Sequence, residues 1–229
     1  MRQIDFFLDP MCPFCWITSK WIRMVREPRD LEVTWRFISL QMLNEDNYDN
    51  LPEGYRNGHA RGLEYLRVAA AVREAVGNQG VGEFYEALGN AIWETAPDGA
   101  TTKAELMTHH VTPLDLVVVL KSVGLDGELA MARSDEGFDD LIRKETGIAL
   151  ERAGKDVGTP IISFDPPNGP AFFGPVISKL PADQEQAVAL WDALSTMATF
   201  PGFAELKTSL RAMPDTALLN RHAALPDGA

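Results

Sequence analysis

The amino-acid sequence predicts an α/β fold interrupted by an all-helical insertion domain, and three observations lead there. A strand-like run is followed at once by Cys12-Pro13-Phe14-Cys15 and an amphipathic helix. Residues 53–153 carry helical spacing and no strand signal. Strand signals then return at Pro160, followed by a hairpin pattern and further helices.

Ile4-Asp5-Phe6-Phe7-Leu8 is the first strand. Trp16-Ile17-Thr18-Ser19-Lys20-Trp21-Ile22 lies in a helix of roughly 13–26 that ends near Glu27-Pro28. Leu31 to Ile38 alternate apolar and polar side chains and read as a second strand. The opening is therefore βαβ, which predicts parallel pairing with a right-handed crossover. Residues 39–52 are polar and irregular, with turns marked by Asn44-Glu45-Asp46-Asn47 and Asp49-Asn50-Leu51-Pro52.

In the helical stretch, Tyr55 to Ala75 carries an apolar stripe that breaks at Gly77, and Val81, Phe84, Tyr85, Leu88 and Ile92 form another. Thr102-Lys103-Ala104-Glu105 has the capping-box pattern, and Thr112-Pro113 opens a helix that stops at Gly124. Ser134 is the candidate cap of a helix through Phe138, Leu141, Ile142 and Ile148 toward Gly154. Pro160-Ile161-Ile162-Ser163-Phe164 and Pro170-Ala171-Phe172-Phe173-Gly174-Pro175 flank a Pro/Gly turn and predict an antiparallel hairpin. Helices of about 182–198 and 203–211 follow, and the Pro- and Ala-rich stretch from Met213 is expected to be poorly ordered. The expected organisation is a core in two parts, 1–52 and 154–212, an inserted helical domain, 53–153, and a flexible tail, 213–229.

A chain of 229 residues fits one domain with an insertion. Hydrophobic residues at 45% and charged residues at 24% are ordinary for a soluble globular protein. A net charge of −12 argues against nucleic acid and anionic membranes as partners, since both demand basic patches. There is no apolar run of about 18 residues, and no signal-type segment follows Met1, so cytoplasmic residence is expected. In a reducing compartment a lone Cys-x-x-Cys is catalytic or metal-binding rather than structural.

Cys12 and Cys15 are the chain's only two cysteines. Strand, tight turn, Cys-x-x-Cys, helix is the thioredoxin-type arrangement. It places Cys12 at a helix N-terminus, where unpaired N–H groups and the helix dipole favour a thiolate. A thiol pKa there falls to about 3.5–7.5 from roughly 8.5. Cys12 is thus the candidate nucleophile, at an exposed helix start, and Cys15, one turn in, the resolving thiol. Pro13 supplies a fixed φ and no N–H, which suits a first helical turn. Phe14 adds neither charge nor hydrogen bond, so the couple is expected between the extremes of about −120 and −270 mV. A structural zinc site needs four ligands, and His59, His109, His110 and His222 are not at ligand spacing, so no metal is expected.

Gly158-Thr159-Pro160 is the second signal: a Thr-Pro opening a strand far downstream of the cysteines matches the cis-proline loop of thioredoxin folds. A cis X-Pro bond costs only about 0.5–1 kcal/mol, and the Thr159 backbone could then pair with an extended substrate. The ordinary alternative is a trans X-Pro at a strand start. The buried acid that thioredoxins carry six positions before the first cysteine is Phe6 here. Asp9 reads as a turn residue with Pro10, which leaves the group handling the Cys15 proton unassigned.

Five blocks carry a family resemblance. They are Asp9-Pro10-Met11-Cys12-Pro13-Phe14-Cys15-Trp16-Ile17-Thr18-Ser19, Leu43-Asn44-Glu45, Leu51-Pro52-Glu53-Gly54-Tyr55-Arg56, Asp156-Val157-Gly158-Thr159-Pro160 and Ala171-Phe172-Phe173-Gly174-Pro175. Together they resemble the actinobacterial mycothiol-dependent nitroreductases of the DsbA-like thioredoxin superfamily, along the chain to about Leu206-Lys207. The resemblance implies a cytoplasmic thiol–disulfide oxidoreductase able to reduce nitroaromatic compounds. Mycothiol, or another low-molecular-weight thiol, would be its co-substrate, with no tightly bound cofactor. It implies that Asn44 and Tyr55 help form the substrate pocket near Cys12, alongside Pro13, Phe14, Thr159 and Pro160. By themselves Asn44 reads as a turn residue and Tyr55 as a helix residue packed on the core.

Phe14 stands where the mycobacterial protein has tryptophan, and a smaller ring beside the nucleophile alters which aromatic substrates stack there. The stretch from Thr95 to His110 also differs and looks longer. The expected partners are a small thiol and a small aromatic or disulfide substrate, and a homodimer is compatible with this reading. Two other readings stand beside it. A kappa-class glutathione transferase or isomerase needs no resolving cysteine, so Cys15 counts against it. A non-catalytic, chaperone-like binding module predicts that Cys12→Ser leaves activity intact.

Overall fold

The computed structural model describes residues 2–227 of the chain. β1 (Arg2–Leu8) has two exposed residues and then runs buried from Ile4 to Leu8, the pattern of a strand covered on both faces. α1 (Pro13–Arg26) begins with proline at its first position and ends with Arg23 and Arg26, which complement the dipole at its C-terminus. Its stripe of Trp16, Ile17, Trp21, Ile22 and Val25 is buried. β2 (Leu31–Phe37) follows. Then come α2 (Leu40–Leu43), α3 (Glu53–Trp93), α4 (Lys103–Val111), α5 (Leu116–Ser122) and α6 (Asp139–Ala153). β3 (Ile161–Phe164), β4 (Ala171–Phe173), α7 (Gln184–Thr199) and α8 (Ala217–Ala224) complete the order.

The four strands form one sheet in the order β2-β1-β3-β4. β3 lies antiparallel to β1, with Ile4 opposite Phe164 and Phe6 opposite Ile162. β4 lies antiparallel to β3, with Ile161 opposite Phe173, so the hairpin read from the sequence is present.

The chain divides into two compact units. The first comprises the chain up to Leu8, Cys12–Arg36 and Gly147–Asp215. Trp21 packs against Trp191 with ring centroids 5.8 Å apart, and its indole N–H donates to the Ala187 carbonyl at 3.0 Å, which holds α1 on α7. On the sheet the carboxylate of Asp5, 2% exposed, receives Arg36 Nε and Arg152 Nη1, each at 2.7 Å. Two guanidinium groups on one carboxylate offset the cost of burying its charge.

The second unit comprises Asp9–Met11, Phe37–Thr146 and the chain from Thr216, and its regular structure is helical. α3 is broken at Gly77, whose φ of 82° and ψ of −176° belong to a region reserved for glycine. Leu66, Val72, Phe84, Leu88, Leu106 and Leu120 are among its buried residues. Thr102 and Glu105 form the reciprocal capping box that starts α4. Glu145, 5% exposed, accepts the Phe37 N–H at 2.9 Å and the Arg73 guanidinium at 3.0 Å.

Four places differ from expectation. α5 is capped by Asp115 and starts at Leu116 rather than at Thr112-Pro113, and α6 starts at Asp139 and is not capped by Ser134. Two segments toward the C-terminus also have other structure. Residues 203–211 are not helical: Leu206 and Leu210 stay 80% and 87% exposed, so a helix there would have no apolar face to bury. From Thr216 the chain forms α8 instead of an irregular tail. Thr216 accepts the Leu219 N–H as its cap, Leu218 is buried, and Arg221 donates to the Ala100 carbonyl at 3.2 Å. Among the described residues no helix is long and apolar enough to cross a membrane.

Candidate active site

Cys12 is the N-cap of α1, with extended backbone angles of φ −91° and ψ 112°. Its sulfur takes the place of the oxygen that usually caps a helix: Sγ accepts the Cys15 N–H at 3.4 Å. A second donor arrives from the strand-opening segment, where the Thr159 hydroxyl donates to Cys12 Sγ at 3.1 Å. The Thr159 carbonyl lies 3.9 Å from the same sulfur, and the Thr159–Pro160 peptide bond is cis. No disulfide joins Cys12 to Cys15 in this structure. Two donors and a helix start with no acidic residue in its first turn act in favour of an anionic sulfur, while burial and the S–H donated to the Thr159 carbonyl act against it.

The expectation of an exposed Cys12 is corrected. The residue is 5% exposed, with the Thr159 hydroxyl and carbonyl both against its sulfur. Cys15, at 0%, is more deeply buried still. Pro13 and Phe14 are half-buried on the first turn of α1. Thr18, a turn further on, donates to the Pro175 carbonyl at 3.0 Å. Gly158 lies against the Phe173 ring, which would touch a Cβ there at 3.4 Å.

Cys12, Cys15, Thr159 and Pro160 are therefore brought together, with Pro13 and Phe14 beside them in the chain. Asn44 and Tyr55 belong to the helical unit. Asn44 ends α2, its amide donating to the Leu40 carbonyl at 2.7 Å. Tyr55 is 64% exposed in the first turn of α3, its ring edge-on to His59 at 6.3 Å. Tyr48 approaches the same imidazole at 6.4 Å, and burial pushes the His59 pKa down.

One residue has a larger part than a turn with Pro10 suggests. Asp9 is 0% exposed. Its Oδ1 accepts the Met11 N–H and its Oδ2 the Leu40 N–H, each at 2.8 Å. Burial outweighs both bonds and pushes the carboxyl up from 3.8 to about 7. The bond to Met11, two residues on, is an Asx turn and was legible in Asp-Pro. The bond to Leu40 had no local signal. Among the described residues no group of three or more His, Cys, Asp or Glu side chains is arranged to hold a metal ion.

Comparison with known proteins places this geometry in a family. Residues 11–208 match the family model described as Rv2466c-like, mycothiol-dependent nitroreductase Rv2466c. A curated relative, the uncharacterized protein Rv2286c of Mycobacterium tuberculosis, is 30% identical over 216 residues, covering 90% of this chain and 82% of its own. Among solved structures, a putative protein disulfide isomerase from Nitrosomonas europaea has a TM-score of 0.53 at 13% identity, over 85% of this chain and 98% of its own. A probable DsbA oxidoreductase from Streptomyces coelicolor, SCO1869, has a TM-score of 0.51 at 12% identity, over 94% and 98%. These likenesses give the fold, a thioredoxin-type core with a helical insertion. With its Cys-x-x-Cys at the head of α1 and Thr159-Pro160 against it, the chain belongs to the Rv2466c-like family of mycothiol-dependent nitroreductases.

Proposed function

We propose that the protein is a cytoplasmic thiol–disulfide oxidoreductase in which Cys12 is the nucleophile and Cys15 the resolving thiol. Mycothiol is the proposed electron donor, and small disulfides or nitroaromatic compounds the acceptors. The observation that carries this reading is the convergence of the Cys15 amide and the Thr159 hydroxyl on Cys12 Sγ. Membership of the family supports mycothiol as co-substrate.

The Cys12 thiolate attacks one sulfur of a disulfide. A Cys12–S bond forms, the substrate S–S bond breaks, and the other half leaves as a thiolate that takes a proton. Cys15, deprotonated, then attacks Cys12 Sγ, forming the Cys12–Cys15 disulfide and releasing the second half. Two electrons have passed from the dithiol to the substrate. Two mycothiol molecules restore the dithiol and leave as mycothiol disulfide. A nitroaromatic acceptor takes the same two electrons with two protons, giving a nitroso compound and water. Pro13, Phe14, Thr159 and Pro160 are the proposed substrate contacts beside the sulfur. Asn44 and Tyr55 are proposed contacts on the family's pattern.

Trapping tests the reading. The Cys15→Ala chain is incubated with mycothiol disulfide and, separately, with cell extract, and the mass of what stays on Cys12 is measured. A mycothiol adduct on Cys12 supports the proposal. Trapped proteins alone point to a protein disulfide reductase or foldase. No adduct, with Cys12→Ser fully active, overturns the proposal in favour of a binding module.

A further inference from the structure

The mechanism above makes no use of the Asp9 carboxyl, the most thoroughly enclosed acid beside the Cys-x-x-Cys motif in the chain. Its hydrogen-bond partners are two backbone amides, Met11 and Leu40, and among the described residues no charged side chain shifts its pKa. Gly62 of α3 is pressed against it so closely that a Cβ there would stand 2.6 Å from Oδ1. A carboxylate buried without a cation is costly, and one whose two oxygens each hold an amide has a defined task. The segment Asp9–Met11 runs directly into Cys12 and is held at every residue: Asp9 to the Leu40 amide, Pro10 through its carbonyl to the Trp93 indole at 3.0 Å, and Met11 to Asp9.

We propose that Asp9 is a positioning residue for the nucleophile: its ionised carboxyl clasps the Met11 and Leu40 amides and so fixes the peptide that enters Cys12. The proposal rests on Cys12 being the nucleophile. When the carboxyl takes a proton, one oxygen becomes a hydroxyl donor and releases its amide, and the clasp loses one arm. The groups facing the carboxyl are the Met11 amide from its own segment, the Leu40 amide from α2 and the Gly62 backbone from α3. Burial places the exchange of that proton at about 7.

Alkylation of Cys12 by iodoacetamide in the Cys15→Ala chain, followed by mass across neutral pH, reads the nucleophile without any co-substrate. The expected profile has two inflections, one from the thiol and one near pH 7. Asp9→Asn, shown to be folded by circular dichroism, is expected to lose the second inflection and to react about tenfold more slowly, the size of one hydrogen bond. Gly62→Ala keeps the acid but crowds Oδ1, so it should slow alkylation and keep the inflection. An Asp9→Asn chain with the parental profile overturns the proposal. If Asp9→Asn fails to fold, a folded Gly62→Ala chain with the parental rate overturns it equally. A Cys12 no more reactive than a free thiol in the parent removes the functional reading, and this proposal with it.

Discussion

The Thr159 hydroxyl donates to the Cys12 sulfur across 3.1 Å, although 147 positions separate the two residues. With the Cys15 amide it makes the second donor to one sulfur, so the sulfur is held from both its own helix and the Thr159-Pro160 segment.

Removing the hydroxyl should therefore weaken the thiolate. A hydrogen bond to a charged group contributes about 1.5–3 kcal/mol, so Thr159→Val should raise the Cys12 thiol pKa by roughly one to two. Thr159→Ser keeps the donor and should stay near the parent. Thiolate absorbance followed against pH measures both, and equal values for valine and serine would contradict the assignment.

Asp9 should leave a mark on stability. Its folded pKa of about 7 lies above 3.8, so between these values the folded chain keeps a proton that the unfolded chain has lost. Stability from this group is full below about pH 4 and falls as pH rises to about 7, by roughly 4 kcal/mol in all. Urea unfolding across this range should show the fall in a His110→Phe chain, where no opposing group masks it, and lose it when Asp9→Asn is added.

His110 should act in the opposite sense. Burial pushes its pKa from 6.5 down to about 4, and its ring lies 4.7 Å from that of Trp93. Its contribution is present above pH 6.5 and is lost as pH falls toward 4, by roughly 3 kcal/mol. His110→Phe keeps a ring against Trp93 and should remove this acid loss. From pH 4 to 6.5 the two groups oppose each other, so each variant should expose the slope that the other one hides.

Asp5 offers a control that touches stability alone. Asp5→Ala strands two partly buried guanidinium groups, Arg36 and Arg152, and should cost about 3–5 kcal/mol by denaturant unfolding. The alkylation rate of Cys12 should stay parental in the folded fraction.

Local patterns account for what was legible in the sequence. The capping box of Thr102 and Glu105, the break at Gly77, the hairpin of Ile161–Phe173 and the helix start at Cys12-Pro13 each depend on residues a few positions apart. What was missed depends on distant ones. Buried Cys12 meets Thr159, 147 positions away, and half of the Asp9 clasp is the Leu40 amide. Residues 203–211 have helical spacing but no surface to pack on, and α8 forms because Leu218 finds one.

Cys12 is only 5% exposed, so if it is the proposed nucleophile the approach to its sulfur should select reagents by size. Raising the pH makes more thiolate but does not widen the approach, so the rate at which a reagent reacts should track its cross-section more closely than its electrophilicity. Slender thiols and flat rings would pass where the disulfides of rigid, folded proteins would not.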